Sequence, residues 1–448
     1  MRNAPAKPGR ALADALTYEE AVGRVLALRG GERAGMRPGL ERIEGLLGAL
    51  GHPEGRYTLV QVGGTNGKGS IAAMLATILK AAGRRVGLYT SPHLCSFRER
   101  IRVNGEPIPP DAVVDGVDAL GTLIARFDAT MFEAATALAL DHFAREAVDV
   151  AVLEVGLGGR LDATTVGRPA ATVLGQIDLD HREYLGDTLA AIAGEKAAII
   201  RSGVALSAAQ APEATDVIVR RAAEAGIPLL LEGRDLHVIV EAKSLSGQRI
   251  SCTGPDFRMS GVELPLLGAF QPGNALLAIA AARVLGVGEP AIRTGVARAR
   301  WPGRFEIVRR DPLLVLDGAH NPAGARALAR SLRELFGEAP LTLVLGLSHD
   351  KDAAGILAAL APLATRLVLT RASNDRAADP HALVAALPTG APPAEIAESA
   401  AQALRVAMQI PHTPIVCVAG SLYLLGDVLM LLAGEPDKPC SIEKSADI

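Results

Sequence analysis

Apolar runs alternate with amphipathic segments along most of this chain. The first five runs fall near residues 58–63, 85–90, 148–155, 171–177 and 203–208, and each has the length of a buried strand. Segments with helical spacing of their apolar positions lie between them. Strands that alternate with helices in this way predict a mostly parallel sheet covered by helices.

The pattern changes over residues 236–267, where short polar–apolar alternations with Gly and Pro predict antiparallel hairpins at the edge of the sheet. A helix is predicted next, over Pro272–Leu285. The segment Trp301-Pro302-Gly303 then breaks regular structure, so we predict a domain boundary there. The predicted domains are residues 1–302 and 303–448.

Four further apolar runs, near 313–317, 341–346, 366–370 and 415–419, predict a second and smaller sheet with helices between its strands. This unit is Rossmann-like in its alternation of strands and helices. No G-x-G-x-x-G motif follows its first strand, however, so a dinucleotide cofactor is not indicated.

One short segment carries more chemical information than any other. It is Gly63-Gly64-Thr65-Asn66-Gly67-Lys68-Gly69-Ser70, which connects a strand predicted over 57–62 to a helix predicted over 71–80. Glycines let a backbone wrap around an anion, N–H groups at a helix start point at it, and a lysine adds positive charge. The segment predicts the phosphate loop of a nucleotide-using enzyme, and a plain glycine turn is the alternative.

The loop departs from the usual rule G-x-x-x-x-G-K-[ST], because Gly69 separates Lys68 from Ser70 and the spacing before Gly67 is shorter. With the loop included, the predicted fold class is α/β. It comprises a P-loop ATPase domain with a mostly parallel sheet and a small antiparallel edge, followed by a smaller Rossmann-like α/β domain.

Composition narrows the classes of function. The chain has 448 residues, of which 49% are hydrophobic, and this is enough for two or three domains with large cores. A net charge of −3 gives no electrostatic reason to expect nucleic-acid binding. The four cysteines lie far apart without a CxxC pair, which argues against a zinc cluster or disulfide scaffold and fits a reducing cytoplasm.

No segment of the sequence predicts a membrane span or a secretory signal. The nearest candidate, Leu422–Leu432, is shorter than the roughly 18 residues of a span and contains Asp427, so a packed helix is predicted. Met1–Arg10 is basic but lacks the apolar stretch of a signal peptide. We expect this segment and Pro436–Ile448 to be loose.

Several polar residues follow predicted strands, where ligands bind in open parallel sheets. Glu154 ends an apolar strand and could hold Mg²⁺ beside the phosphates or cap the next loop. His181 follows the next strand and could bind a metal or a phosphate, or be structural, while Asp178 and Asp180 could be caps. Ser91 could offer its hydroxyl to a metal or cap a turn.

Other charged residues leave a similar choice open. Lys196 lies on an otherwise apolar helix, and a lysine that snorkels to solvent beside Glu195 is the favoured interpretation. The cationic segment 97–102 could face an anionic substrate or be solvated. Asp317 and His320 end a strand of the second sheet and could face a nucleotide across a cleft.

Together these motifs resemble the Mur ligase superfamily, and in finer detail folylpolyglutamate synthase and the bacterial bifunctional dihydrofolate synthase. They span about residues 37 to 352, and as a set they are very specific. In chain order the motifs are Gly64 to Ser70, Thr90 to Leu94, Phe97 to Asn104, Phe132-Glu133, Glu154 to Asp162, Leu179-Asp180-His181, Glu195-Lys196-Ala197, Phe270-Gln271, Trp301 to Glu306, Asp317 to Asn321, and Asp350-Lys351-Asp352.

The resemblance implies a role for each matching position. The implied ATP contacts are Thr65, Asn66, Gly67, Lys68, Gly69, Ser70, Asn274, Arg304, Asp317 and His320. The implied metal ligands are Ser70, Ser91, Glu154 and His181. The implied catalytic residues are Lys68, a carbamylated Lys196, His181 and Arg304. The implied pteroate contacts are Pro38, Gly39, Leu40, Thr130, Met131, Phe132, Glu133, Leu161, Asp162 and Ala163.

The implied reaction is an ATP-dependent ligation that joins L-glutamate to dihydropteroate or to a reduced folate through an acyl phosphate. The resemblance also implies one or two Mg²⁺ ions, ATP as a substrate, K⁺ as a further candidate cation, and a cytoplasmic monomer. A carbamate on Lys196 would be an anion near the metals, and this reverses the preference for a snorkelling lysine.

Three alternative functions compete with this hypothesis. Folylpolyglutamate synthase activity alone would use the same chemistry. A P-loop ATPase or binding module without ligase activity would not need Arg304 together with Asp317. A peptidoglycan-type ligase would carry a UDP-binding domain before the phosphate loop. In this sequence about 60 residues precede the loop, which are too few for such a domain. Asp178, Thr165 and Ala198 differ from the family's usual residues and bear on substrate preference.

Overall fold

The computed structural model describes residues 16–28, 37–409 and 414–434. The two ends predicted to be loose, Met1–Arg10 and Pro436–Ile448, lie outside these residues. None of the helices in the described part of the chain combines the length and the apolar composition needed to cross a bilayer.

The first sheet contains eight strands and carries the phosphate loop. Its strands are β1 Thr58–Gly63, β2 Val86–Tyr89, β3 Ile101–Val103, β4 Glu106–Pro107, β5 Val150–Glu154, β6 Ala171–Leu174, β7 Val204–Ser207 and β8 Leu229–Leu231. They lie in the order β4-β3-β2-β5-β1-β6-β7-β8. Pairing is parallel from β2 to β8, whereas β3 and β4 form an antiparallel edge.

Helices cover both faces of this sheet. They are α1 Tyr18–Leu26, α2 Glu41–Ala49, α3 Lys68–Ala81, α4 Pro110–Phe127, α5 Met131–Arg145, α6 Arg182–Leu185, α7 Leu189–Ala197, α8 Pro212–Ala225, α9 Gln271–Val284 and α10 Glu289–Arg298. Val60 and Val62 of β1 pack against α3 and α9, while Leu59 faces the opposite core. A strand buried on both faces is a continuous apolar run, which is why the sequence pattern predicted it.

The hairpins predicted over 236–267 are confirmed, but they form a sheet of their own. Its strands are β9 His237–Ser244, β10 Gly247–Gly254 and β11 Phe257–Leu264. All pairings are antiparallel. Its buried residues Ile250, Cys252 and Val262 share one apolar core with α9 and α10, so the small sheet covers apolar surface of these helices.

The second large sheet has six strands. Its strands are β12 Glu306–Arg310, β13 Leu313–Asp317, β14 Leu341–Leu345, β15 Arg366–Leu369, β16 Ala394–Ile396 and β17 Ile415–Ala419. They lie in the order β12-β13-β17-β14-β15-β16, and only β12 pairs antiparallel. Its helices are α11 Pro322–Phe336, α12 Ala353–Leu360, α13 Pro380–Ala385, α14 Ala400–Gln409 and α15 Leu422–Leu432. The predicted α/β fold class is therefore confirmed.

Candidate functional site

The phosphate loop lies between β1 and α3, and its glycines are required by close contacts. Gly67 caps α3 with φ of 86°, and a Cβ there would lie 2.4 Å from Oδ1 of Asn274. The backbone N–H groups of Thr65 and Asn66 donate to the carbonyl of Gln176 at 2.8 and 3.1 Å. The loop is thus held from two sides, by the turn after β6 and by the first turn of α9.

Two lysines meet at this loop. Lys68 Nζ donates to the carbonyls of Gly64 and Thr65 at 3.2 and 3.1 Å, so its ammonium lies over the loop. Lys196 Nζ, on α7, donates to the same Gly64 carbonyl at 3.1 Å. The loop therefore concentrates positive charge where an anion would bind.

Lys196 does not reach solvent. It is 4% exposed, and Glu195 instead accepts hydrogen bonds from Nε of Arg160, so the interpretation of a snorkelling lysine is wrong. Burial, and then the charge of Lys68, lowers the pKa of Lys196 to about 7. Its amine is therefore neutral in a large fraction of molecules near pH 7, which is the form that reacts with electrophiles.

The four implied metal ligands come from four different elements. Glu154 ends β5, and its Oε2 accepts the backbone N–H of Ser91 at 3.1 Å. Burial raises the pKa of Glu154, and Lys68 partly opposes the shift. His181 follows β6 with φ of 51°, and Ser70 lies in the first turn of α3.

This donor set fits Mg²⁺. A buried carboxylate at a strand end gains from a cation, and the hydroxyls of Ser70 and Ser91, which line the same cavity, are oxygen donors of the kind that Mg²⁺ prefers. In the described residues, no three His, Cys, Asp or Glu side chains gather as a metal cluster.

Asp317 ends β13, His320 follows it, and both line the cavity at the phosphate loop from the second sheet. Asp317 accepts the backbone N–H groups of Phe305 and Ala319, each at 2.8 Å. Burial raises its pKa to about 6, and Arg304 opposes this rise. His320 Nδ1 lies 2.8 Å from the carbonyl of Gly318, so Nδ1 carries the proton because a carbonyl can only accept.

A buried polar network joins the two sheets. Asp180, after β6, accepts from Lys351 Nζ and from Asn321 Nδ2, each at 2.9 Å. Asn321 also donates to Oδ1 of Asn66 in the phosphate loop at 3.2 Å. Burial opposes ionisation of Asp180, but the charges of His181 and Lys351 outweigh it, so its pKa is lowered. The second sheet is thus tied directly to the loop.

Replacing Asp180 with asparagine is expected to lower the free energy of unfolding by about 3 kcal/mol, because the buried Lys351 ammonium loses its nearer carboxylate and keeps only that of Asp350 at 3.7 Å. The side chains of Asp180 and Lys351 are 9% and 10% exposed. The matched control is Asp178→Asn on the same loop, whose partner Arg326 is 62% exposed. It should change the free energy by less than about 1 kcal/mol. Equal denaturation midpoints for the two variants would refute the network's importance.

A cavity of about 460 Å³ contains every residue implied for ATP, metal or catalysis. Its phosphate end is lined by the loop, Glu154, His181 and Lys196, and its far end by Val238, Val240 and Phe270. The sequence predicted no role for Val238, Val240 or Phe270. They belong to β9 and to the turn before α9, which only the fold brings near the loop.

A second cavity, of about 330 Å³, lies beside the first. Seven of the residues implied for pteroate line it: Thr130, Met131, Phe132, Glu133, Leu161, Asp162 and Ala163. Pro38, Gly39 and Leu40 do not line it, and Arg37 does. The carbonyls of Arg37, Pro38 and Gly39 instead accept from the Arg42 guanidinium at 2.7 to 3.5 Å, which turns that segment towards α2.

Two acids of this second cavity are engaged by the protein itself. Glu133 accepts from Nε of the buried Arg42 at 2.9 Å and from the backbone N–H of Thr130 in a capping box. Asp162 accepts backbone N–H groups of Gly156 and Leu157 at 3.0 and 2.9 Å. Both carboxylates therefore shape the wall of the cavity by fixing a helix start and a loop.

The second sheet also contributes side chains to this cavity that the sequence did not single out by role. They are Ser348, Lys351, Arg376, Ser421 and Tyr423. Ser348 and Lys351 lie in the loop after β14, Ser421 lies in the loop after β17, and Tyr423 lies in the first turn of α15. All four are therefore near carboxyl ends of parallel strands. That position after a strand was one signal available in the sequence, and Lys351 also belongs to the motif Asp350-Lys351-Asp352.

Two family models match the chain. One, described as the Mur ligase middle domain, matches residues 62–282. The other, described as the glutamate ligase domain of Mur ligases, matches residues 303–422. The first match contains the phosphate loop, and the second contains β13 and the turn with Asp317.

Named proteins match over most of the chain. The folylpolyglutamate synthase of Lacticaseibacillus casei is 38% identical over 408 residues, covering 88% of this chain and 94% of that protein. The dihydrofolate synthase/folylpolyglutamate synthase of Mycobacterium tuberculosis is 38% identical over 376 residues, covering 78% and 77%. The solved structure of Escherichia coli FolC in complex with DHPP and ADP has a TM-score of 0.86 at 32% identity, covering 93% of this chain and 98% of that one.

Proposed function

Since this chain belongs to the Mur ligase family, in the branch of folylpolyglutamate and dihydrofolate synthases, we propose that it is an ATP-dependent amide ligase. It adds L-glutamate to dihydropteroate and to reduced folates and releases ADP and phosphate. One observation carries the proposal: the nucleotide cavity and the second cavity share a wall. Seven residues line both cavities: Ser91, Pro92, Gly156, Leu157, His181, His320 and Leu422.

The shared wall suits the chemistry of amide formation. A carboxylate is a poor electrophile in water, and transfer of the γ-phosphoryl group to it gives an acyl phosphate with a good leaving group. The amine of L-glutamate then attacks the acyl carbon, and phosphate leaves from the tetrahedral intermediate. An acid in the second cavity would present its carboxylate to the γ-phosphate at the boundary where the two cavities meet. The protein supplies position and charge and needs no covalent nucleophile.

Positive side chains of the nucleotide cavity would stabilise the transferring phosphoryl group. Lys68 Nζ donates to the loop carbonyls of Gly64 and Thr65, so its charge is already held at the loop that would bind the phosphates. Arg304 lines the same cavity from the segment between the sheets. Spreading negative charge over preorganised cations is the main source of catalysis in phosphoryl transfer.

Ser70, Ser91, Glu154 and His181 are proposed to hold one or two Mg²⁺ ions. Bound there, Mg²⁺ would neutralise phosphate charge and orient the γ-phosphoryl group. Lys196 is proposed to be carbamylated: its neutral amine adds to CO₂ and loses one proton, which converts a cation into an anion. Its pKa of about 7 supports this, because the reactive neutral form is well populated.

The finer assignments follow from the same proposal. L-glutamate is the amino acid substrate, residues 1–302 and 303–448 are the two domains, and the protein acts as a monomer in the cytoplasm. The second cavity is also lined by Lys351, Arg376 and Tyr423, which belong to the part of the chain that forms the second sheet. This supports a role for both domains in one active site.

ADP release tests the proposed function. The assay combines ATP, Mg²⁺ and L-glutamate with dihydropteroate in one arm and with a reduced folate in the other. Stimulation in both arms is expected. Stimulation only by the reduced folate would indicate folylpolyglutamate synthase activity alone. ATP hydrolysis that responds to neither acid would indicate an ATPase or binding module and would overturn the proposal.

A further inference from the structure

The chain has one tryptophan, and it lies against the phosphate loop. A Cβ atom on Gly69 would lie 2.7 Å from Nε1 of Trp301 and 3.1 Å from its Cε2. Real Cβ atoms do not approach other atoms so closely, so an alanine there would displace either the indole or the start of α3. The additional glycine between Lys68 and Ser70 is therefore explained by a contact with a residue far along the chain.

Trp301 lies in the segment between the two large sheets, and the residues just after it are fixed to the second one. The backbone N–H of Gly318, directly after β13, donates to the carbonyl of Gly303 at 2.8 Å. A Cβ on Gly303 would lie 3.0 Å from Cδ1 of Leu425 in α15. The next residue, Arg304, lines the nucleotide cavity. Three of the four residues from Trp301 to Arg304 thus touch the phosphate loop, the second sheet and the nucleotide cavity in turn.

We infer that Trp301 is a positioning residue that couples the phosphate loop to the second sheet, so that the position of the loop depends on the position of that sheet. The indole bears on the helix start that carries Lys68 and Ser70. A displacement of the connecting segment therefore displaces the groups that hold the phosphates. This inference rests on the proposed function only in that the loop binds a nucleotide, and it adds that tight binding requires the two sheets to be correctly arranged.

Helix preference alone would not keep a glycine at position 69. Alanine stabilises a helix relative to glycine, because glycine loses more backbone entropy when it is ordered. Gly69→Ala should therefore strengthen α3 if the indole were absent. A loss of binding in this variant would come from the contact with Trp301, and not from a weakened helix.

Four proteins test the contact: the wild type, Gly69→Ala, Trp301→Leu and the double variant, each titrated with ADP by calorimetry. Gly69→Ala is expected to weaken ADP binding about tenfold or more, and the double variant to recover at least about fivefold of this, because leucine leaves room for the methyl group. Independent losses that multiply in the double variant would overturn the inference. The control is Gly121→Ala on α4, an exposed glycine with no atom near its Cβ position.

Two further measurements separate positioning from general stability. Trp301→Leu should raise the KM for ATP while leaving the KM for the acid and for L-glutamate unchanged, and Trp301→Phe should restore most of the loss. Saturating ADP should change the tryptophan emission of the wild type, since one residue produces all of it. Calorimetric ADP binding with unchanged emission, or equal changes in all three KM values, would overturn the inference alone. A wild type that does not bind ADP would overturn the proposed function as well.

Discussion

Ligase turnover is expected to fall by a factor of about 10² to 10³ in a Lys196→Met variant, the loss typical of removing one positioned charged group. Methionine keeps the length and apolar stem of the side chain, so the packing of α7 should survive. It cannot form a carbamate, so the anion proposed near Glu154 and His181 would be absent. ADP release in the presence of both substrates measures the effect, and an unchanged melting temperature shows that the fold is intact.

The carbamate on Lys196 also predicts how activity depends on pH and on CO₂. An ordinary lysine, with a pKa of 10.5, would be neutral in only about one molecule in 3,000 at pH 7, whereas Lys196, with a pKa of about 7, is about half neutral. Lowering the pH below 7 protonates the amine and removes the form that reacts with CO₂. Activity should therefore fall as the pH drops from about 7 to 6, and added bicarbonate should restore part of it.

Lys80→Met is the control for Lys196, because Lys80 is an exposed lysine near the end of α3. It should keep full turnover and the same response to bicarbonate as the wild type. If Lys196→Met also retained full turnover, or if removal of CO₂ had no effect on the wild type below pH 7, a carbamate would have no part in the reaction.

Loss of the loop lysine is the second large effect. Lys68→Met should weaken ATP binding and reduce turnover by about 10² to 10³, because a charge aimed at the transferring phosphoryl group is removed. Calorimetry with the non-hydrolysed product ADP separates the loss of binding from the loss of catalysis. A larger loss in turnover than in ADP affinity is expected, since negative charge develops during transfer.

A second lysine of the same cavity provides the comparison. Lys243 lines the cavity from β9, is 33% exposed and forms an ion pair with Glu334 of α11. Lys243→Met should change ADP affinity by less than about fivefold, as expected for a partly solvated charge. Similar losses in Lys68→Met and Lys243→Met would mean that the cavity acts through overall charge and would remove the special role of the loop.

The sequence predicted what is encoded locally. The strand, glycines and helix of the phosphate loop follow one another along the chain, and Leu422–Leu432 is a helix with the predicted bounds. By contrast, β8 Leu229–Leu231 and β16 Ala394–Ile396 were missed, because three residues are too few to show a period. β12 was missed for a different reason, since its residues are only partly buried.

The site was harder to predict, because its contacts join distant parts of the chain. In the sequence, Asp180 could equally be a helix cap or part of a buried ion pair. Only the fold brings Lys351 to it and decides between the two. Glu133 lies beside the second cavity, as the resemblance implied, but its partner Arg42 comes from a separate helix. Single residues at strand ends show where chemistry can occur, and their partners show what each residue does.

The wall shared by the two cavities has a practical consequence for inhibitor design. Both cavities are lined by His181, His320 and Leu422, so one molecule could occupy the two cavities at once. A compound that tethers a pteridine-bearing acid to a nucleoside phosphate would hold each half at a high effective concentration for its own cavity. Such a bidentate compound should bind much more tightly than either half, provided that the tether spans the wall without strain.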